Sequence, residues 1–363
     1  MKQVRVRLAR NPYTVYCGAG VINETGNILK GKIEGKSVVI VSNAKVYGLY
    51  GKQLEKSIKK AGFTSSLFLM GDGEKYKTIQ SVEKICGFCA RAGLDRYGAV
   101  IALGGGVTGD TAGFAAGVYM RGVPVVQVPT TLLAQVDSSV GGKTGVDLKE
   151  GKNLAGVFHQ PLFVAADSTV LRTLPEREFL SGLAESIKHG FIMDRALYEF
   201  TGINRTKILG RDPGILSSLV AMNAADKASI VERDELETTG LRAILNYGHT
   251  IGHAIESAMN YRGIMHGEAV AAGMAMAAGL SYRLGVCPRA DYEAQIKMLK
   301  SFNLIKPLRK IKKSLILKRM LNDKKMKNGK IRFILTKKIG CATLIENIEN
   351  TAIKRELDIF LSP

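Results

Sequence analysis

Apolar runs and amphipathic stretches alternate through the first half of the chain. Residues 36–42 (KSVVIVS) form a short β-branched run, and residues 50–61 are amphipathic and stop at Gly62. Residues 65–70 (SSLFLM) end in Gly71-Asp72-Gly73, and residues 78–92 have helical spacing. Residues 99–103 (AVIAL) run into Gly104-Gly105-Gly106, and residues 124–128 close at Pro129. This β-α-β rhythm predicts a parallel sheet covered on both faces. Beyond about residue 173 the texture changes. Leu174-Pro175-Glu176 starts a helix, since the fixed φ of Pro suits a first turn. Most segments to about residue 318 are helical, and a strand signal returns weakly at 331–335. The expectation is an α/β N-terminal domain over residues 1–175 and a mainly α-helical C-terminal domain over residues 176–363. No repeat or low-complexity linker separates them, so a ligand site is expected at their junction.

The length of 363 residues agrees with two domains, because single cores stop growing at roughly 250–300 residues. A composition of 46% hydrophobic and 23% charged residues excludes a disordered chain. The 40 glycines follow no period, which excludes collagen. Trp is absent and aromatics are 7%, which weakens any reading built on stacking of bases. The net charge of +20 is concentrated. Between Lys297 and Lys338 there are 16 basic residues and one acid, Asp323. Such a stretch suits a nucleic-acid face, a funnel for an anionic small molecule, or a solvated helical surface. The last is the plainest reading, and nucleic acid is not expected as the primary partner.

Five scattered cysteines make no disulfide framework. Cys86 and Cys89 form a CxxC mid-helix with no strand before it, and read as small packing residues. The N-terminus alternates charges through MKQVRVRLAR, unlike a signal peptide. The longest apolar run, residues 269–280, is short of the ~20 residues that span a membrane. A reducing cytoplasm is the expected compartment.

Gly104-Gly105-Gly106-Val107-Thr108-Gly109-Asp110 follows one strand and opens a helix. Glycines let backbone N–H groups approach a phosphate, and a helix N-terminus favours its charge. The string matches G-x-G-x-x-G but lies outside the first βα unit, and no acid follows about 20 residues on. A pyrophosphate cradle and plain close packing are the competing readings. Asp72-Gly73-Glu74-Lys75-Tyr76-Lys77 also follows a strand, where an acid can take ribose hydroxyls. Together the two segments suggest an adenine dinucleotide along the sheet's carboxyl edge. Asp137 to Gly145 (DSSVGGKTG) lacks the upstream Gly of an ATP-binding loop. Lys143, Lys152 and Asn153 still suit an anion.

Three of the five histidines fall within 18 residues: His249, His253 and His266. His249 and His253 are spaced i, i+4 and share a helix face. With Glu185, two imidazoles would make a catalytic divalent site with open positions. HTIGH lacks the Glu of H-E-x-x-H, so a zinc-protease reading fails. Lys188 lies one turn from Glu185 and should share its face. Arg121, Lys227 and Arg242 lie near these motifs in sequence, and such a site suits a substrate carrying phosphate or carboxylate.

These stretches resemble the 3-dehydroquinate synthases, of the sugar-phosphate cyclase group. The matching segments are DGEKYK (72–77), GGGVTGDTAGFAAGVYMRG (104–122), PTTLLAQVDSSVGGKTGV (129–146), GKNLAGVFHQP (151–161), TLPEREFLSGLAESIKHG (173–190), LNYGHTIGHAIE (245–256) and HGEAVAAGM (266–274). The resemblance implies an NAD-binding α/β domain followed by a helical one. It implies zinc or cobalt on Glu185, His249 and His266, with His253 facing the substrate. The dinucleotide would meet Asp72, Gly73, Glu74, Lys75, Tyr76, Lys77, Gly106, Val107, Thr108, Gly109 and Asp110. It would also meet Thr130, Thr131, Lys143, Lys152, Val170, Leu171, Arg172 and Thr173. Substrate anions would meet Asp137, Lys143, Asn153, Lys188, Lys227, Arg242 and Asn246. Arg121 would serve the neighbouring subunit of a homodimer, and Lys324 or Lys325 would close over the substrate. His159 stands where many relatives carry Tyr. The implied reaction turns 3-deoxy-D-arabino-heptulosonate 7-phosphate into 3-dehydroquinate and phosphate, a step toward chorismate, with NAD recycled. A different sugar-phosphate cyclase or a metal-dependent polyol dehydrogenase is the alternative; Lys227 and Arg242 favour a carboxylated substrate.

Overall fold

A computed structural model describes residues 1–306, 308, 311–321 and 332–361. The first elements are β1 (Lys2–Val6), β2 (Tyr13–Gly18), α1 (Val21–Leu29), β3 (Ser37–Asn43), α2 (Ala44–Lys60), β4 (Thr64–Met70), α3 (Ile79–Arg91) and β5 (Ala99–Gly104). There follow α4 (Gly106–Val118), β6 (Val125–Pro129), β7 (Lys143–Leu148), β8 (Gly151–Phe158), β9 (Phe163–Asp167), α5 (Glu176–Ile192), α6 (Arg195–Ile203), α7 (Arg205–Leu209) and α8 (Pro213–Val231). The last are α9 (His249–Ala258), α10 (His266–Arg283), α11 (Arg289–Ser301), α12 (Lys313–Leu321), β10 (Arg332–Lys338), β11 (Cys341–Glu346) and α13 (Asn350–Leu361).

The chain divides into two compact units: Met1–Leu174 with Leu209–Leu236, and Pro175–Ile208 with Glu237–Pro363. The first holds a seven-stranded sheet in the order β1-β2-β9-β6-β5-β3-β4. It is parallel except for β1, which pairs antiparallel with β2. Every residue of β5, β6 and β9 is buried. A strand covered on both faces has no polar side to alternate, which is why AVIAL reads as an unbroken apolar run. Register pairs Gly104 with Pro129, so β5 and β6 end side by side. The Thr130 N–H then donates to the Gly104 carbonyl at 2.9 Å, joining two of the motifs at the sheet's carboxyl edge.

Helix α2 starts at Ala44, ahead of the expected residue 50, because the Asn43 side chain caps it by accepting from the Val46 N–H at 2.9 Å. Thr78 caps α3 in the same way through the Ser81 N–H. Cys86 and Cys89 lie within α3, and burial pushes the Cys89 thiol up to about 12, which fits packing and not redox chemistry. Helix α8, within the part of the chain read as helical, packs on β1 and β2 and on the turn Ala134–Ser138 of the first unit. Nearly all its inner turns are buried, so it has no wide polar face.

The second unit is built on α5, α9 and α10, with the antiparallel hairpin β10–β11 beside them. The apolar run at 269–280 is the buried middle of α10. Its small residues permit close approach: a Cβ on Gly267 would lie 2.2 Å from the Ser181 carbonyl oxygen of α5, and one on Gly273 would lie 2.0 Å from that of Gly248 before α9. No side chain larger than hydrogen fits at either crossing. No helix among the described residues is long and apolar enough to cross a membrane. Lys324 and Lys325, and Ile331 of the weak strand signal, lie outside the described residues.

Candidate active site

The close helix crossings of the second unit deliver three side chains to one point. Glu185 projects from the middle of α5 and is buried, while His249 and His266 are the first residues of α9 and α10. The Ser181 hydroxyl accepts from the Gly267 N–H at 2.9 Å and pins the start of α10 one turn from Glu185. The Nε2 atoms of His249 and His266 each stand 3.5 Å from Glu185 Oε1. Ligand atoms of all three lie within 4.8 Å of one another. Glu185 Oε1 is buried and accepts no hydrogen bond. A carboxylate oxygen rarely stays in that condition without a cation nearby. Its other oxygen, Oε2, takes the ammonium of Lys188, as the i, i+3 spacing predicts.

Both imidazoles are oriented through Nδ1. For His249 the partner is the Tyr247 carbonyl at 3.1 Å; for His266 it is Glu256 Oε2 at 3.3 Å. Both partners can only accept, so each Nδ1 carries the proton and Nε2 is the atom offered to Glu185. Burial raises the Glu185 carboxyl, but Lys188 and then His249 outweigh it and hold it well below the usual range. Burial drives His249 well down, so it stays neutral, the form that binds metals. Burial also opposes charge on His266, yet Glu185 and Glu256 lift it to about 10. An ion binding here displaces that proton. The donor set of one carboxylate and two imidazoles fits a divalent transition ion with open positions.

His253 is half-buried one turn along α9, its ring 5.3 Å from that of His249 and 6.1 Å from that of His266. Arg242 and Asn246 share the short helical segment Leu241–Asn246, with Arg242 buried and Asn246 half-buried. Glu256 is the residue that sequence reasoning passed over. Its signal was available: it stands seven residues after His249, two turns along the same face.

In the first unit, Lys77 donates to Asp110 Oδ2 and to Asn153 Oδ1, both at 2.6 Å. Burial pulls the Lys77 ammonium down, and Asp110 more than reverses it. Asp147 holds the loop in place, its carboxylate accepting from the Asn153 N–H at 2.8 Å and its own N–H donating to the Lys77 carbonyl at 2.9 Å. Asp72 accepts from Asn43 Nδ2 at 3.2 Å, Glu74 pairs with Lys152 at 3.2 Å, and the Lys75 ammonium lies over the Tyr76 ring. Gly106, Val107, Thr108 and Gly109 form the first turn of α4, whose leading N–H groups point out of the helix. A Cβ on Gly105 would meet Thr131 at 2.9 Å, so this glycine also serves the packing reading. Lys143 begins β7, and its side chain is exposed. Val170, Leu171, Arg172 and Thr173 form the turn after β9; Tyr50 takes the Val170 carbonyl, and Arg211 those of Leu171 and Arg172. Lys227, from α8, donates at 2.5 Å to both the carbonyl and Oδ1 of Asp137. Arg121 is exposed in a turn where it and Met120 both hold positive φ, 64° and 50°. His159 is drawn inward, its Nε2 2.8 Å from the Val123 carbonyl.

The chain has relatives among known proteins. Residues 67–181 match the family described as 3-dehydroquinate synthase N-terminal, and residues 182–326 match 3-dehydroquinate synthase C-terminal. The 3-dehydroquinate synthase of Thermodesulfovibrio yellowstonii is 45% identical, covering 99% of this chain and 100% of its own. That of Pelotomaculum thermopropionicum is 47% identical over 74% of this chain and 72% of its own. Among solved structures, 2-deoxy-scyllo-inosose synthase complexed with carbaglucose-6-phosphate, NAD+ and Co2+ superposes with TM-score 0.90 at 29% identity, covering 98% of both chains. The 2-epi-5-epi-valiolone synthase of Streptomyces hygroscopicus, with NAD+ and Zn2+ bound, gives TM-score 0.87 at 25% identity over 98% of both. An iron-containing alcohol dehydrogenase, at 15% identity and TM-score 0.69, shares the fold. Two consecutive domain matches and near-complete alignment at 45% identity leave one assignment: the chain belongs to the 3-dehydroquinate synthase family.

Proposed function

We propose that the chain closes 3-deoxy-D-arabino-heptulosonate 7-phosphate into 3-dehydroquinate with loss of phosphate, using NAD catalytically and one divalent ion. The observation that carries this is the buried, hydrogen-bond-free Glu185 Oε1 with an imidazole Nε2 on either side at 3.5 Å. It is supported by the solved relatives named with NAD+ and with Co2+ or Zn2+.

Glu185, His249 and His266 would hold the ion. Asp72 to Lys77, Gly106 to Asp110, Thr130, Thr131, Lys143, Lys152 and Val170 to Thr173 would hold the dinucleotide, the α4 N-terminus favouring its diphosphate. When bound, the ion supplies Lewis acidity toward a substrate hydroxyl and the dinucleotide a reversible store for a hydride. Lys188 keeps Glu185 ionised through Oε2, leaving Oε1 for the ion. His253, half-buried one turn along α9, would exchange a proton with the substrate. On the first unit Lys143, Asn153 and Lys227, and on the second Lys188, Arg242 and Asn246, would supply cations and amides suited to a phosphate and a carboxylate. Lys227, which donates to Asp137, would trade that carboxylate for a substrate anion.

The finer expectations stand beside this. We read the chain as a cytoplasmic homodimer with phosphate-lyase activity. Its thiols are free, and Leu148, Leu154 and Phe158 are large apolar side chains left exposed on the hairpin β7–β8. Sedimentation at micromolar concentration should return twice the chain mass.

Phosphate release from the heptulosonate phosphate, with NAD far below substrate, tests the reaction. Release should exceed NAD many-fold and stop with a chelator. NADH accumulating one for one, with no phosphate released, would instead mark a polyol dehydrogenase.

A further inference from the structure

The two imidazoles of the ion site are oriented by different chemistry. His249 donates from Nδ1 to a neutral backbone carbonyl, that of Tyr247. His266 donates from Nδ1 to a carboxylate, that of Glu256, at 3.3 Å. Glu256 is itself buried on α9, seven residues from His249, and its element and that of His266 are packed together through Gly252 and Ala269. His266 is the more exposed of the two imidazoles. Among the described residues the partner of its Nδ1 is a side chain from another helix and not a backbone carbonyl.

We propose that Glu256 is a positioning residue for the ion site. Its carboxylate fixes His266 in the Nδ1–H form and in the ring orientation that presents Nε2 beside Glu185 Oε1, and it makes that nitrogen a stronger donor to a divalent ion. A carboxylate behind a ligating imidazole raises its basicity as well as aiming it, and loss of such a partner typically weakens metal binding by about 10–100-fold. A carbonyl, as behind His249, aims without adding charge. The two ligands are therefore unequal, with His266 the one tuned by charge. This rests on the reading of Glu185, His249 and His266 as the ligands.

The test is zinc affinity of the full-length, metal-stripped chain, measured by competition with a chromophoric chelator, together with the visible absorption of the cobalt-loaded form. Glu256→Ala should raise the zinc Kd by about 10–100-fold and change the cobalt bands. Glu256→Gln, which keeps an acceptor but loses the charge, should fall between Glu256→Ala and the parent. Circular dichroism on both variants separates misfolding from loss of affinity, and Glu256→Gln carries the test if Glu256→Ala does not fold. Parental Kd and parental cobalt bands in Glu256→Gln would overturn the proposal. So would a loss of affinity in His253→Ala with none in His249→Ala, because the ion would then sit among His253, Glu256 and His266, the alternative cluster that these side chains could form. Unchanged affinity in Glu185→Gln and His249→Ala would instead remove the ligand reading on which the proposal stands, a result distinguishable from failure at Glu256 alone.

Discussion

Glu185 concentrates the site's chemistry in one carboxylate, each of whose oxygens faces a different kind of partner. Oε2 meets Lys188 and Oε1 the two imidazoles. Glu185→Gln keeps the shape and removes the charge, so it should lose the ion and lower phosphate release by about a thousandfold or more, the several kcal/mol that Lewis-acid catalysis supplies at 1.36 kcal/mol per tenfold. His266→Ala should behave alike, and steady-state assays with added zinc check both. His159 makes a separate prediction about pH. Burial lowers its pKa, opposed by the Val123 carbonyl, so the folded chain prefers it neutral. A folded-state pKa below the unfolded value of about 6.5 means its contribution is whole above that pH and drains as pH falls through the folded value. His159→Gln, which never ionises, should therefore show a smaller drop in melting temperature between pH 7.5 and 5.5 than the parent.

At the scale of elements, glycine decides where the ligands stand. Gly267→Ala would place a methyl 2.2 Å from the Ser181 carbonyl oxygen, forcing α10 off α5. Overpacking of this kind costs roughly 1–3 kcal/mol. Since His266 is the residue before Gly267, the same shift should carry it away from Glu185. Gly267→Ala should thus weaken zinc binding as well as lower the denaturation midpoint, whereas Gly202→Ala, with no neighbour closer than 3.3 Å, should do neither beyond ~1 kcal/mol. Zinc titration and urea melts on the pair measure this. The same close contacts explain what could be read from the sequence. The runs at β3, β5 and β6 were legible because a doubly covered parallel strand is mostly apolar. Strands β1, β2 and the hairpin β7–β8 were not, since partly exposed residues and glycines break their pattern. The three ligand candidates were legible because histidine is scarce here and clusters, and Lys188 because i, i+3 spacing puts it on the face of Glu185. Glu256 was passed over because a lone Glu on a helix is ordinarily a solvated charge; its spacing from His249 gave a weak signal, and the packing of α9 on α10 is what turns it inward.

Taken as a whole molecule, the chain keeps its two sets of candidate ligands on separate compact units: the carboxylate and imidazoles on one, the glycine-rich turn with Lys77, Asp110 and Asn153 on the other. A ligand that binds only the folded form stabilises it by mass action, about 2.7 kcal/mol at a hundredfold excess over Kd. At roughly 2–4 °C per kcal/mol for domains of this size, that is a rise of about 5–10 °C in melting temperature. Zinc added to the metal-stripped chain should give such a rise, because it ties α5, α9 and α10 together at one point. NAD should give a rise of its own by holding the ends of β4, β5 and β9. Glu185→Gln then distinguishes the two: it should abolish the response to zinc and leave the response to NAD. Asp110→Asn, which removes the charge that holds Lys77, should do the reverse, weakening the NAD response and sparing that to zinc. Thermal melts of the parent and both variants, each with zinc alone and with NAD alone, measure all four responses. Loss of both responses in either variant would show that the two sites do not bind independently, and the division of labour between the units would have to be withdrawn.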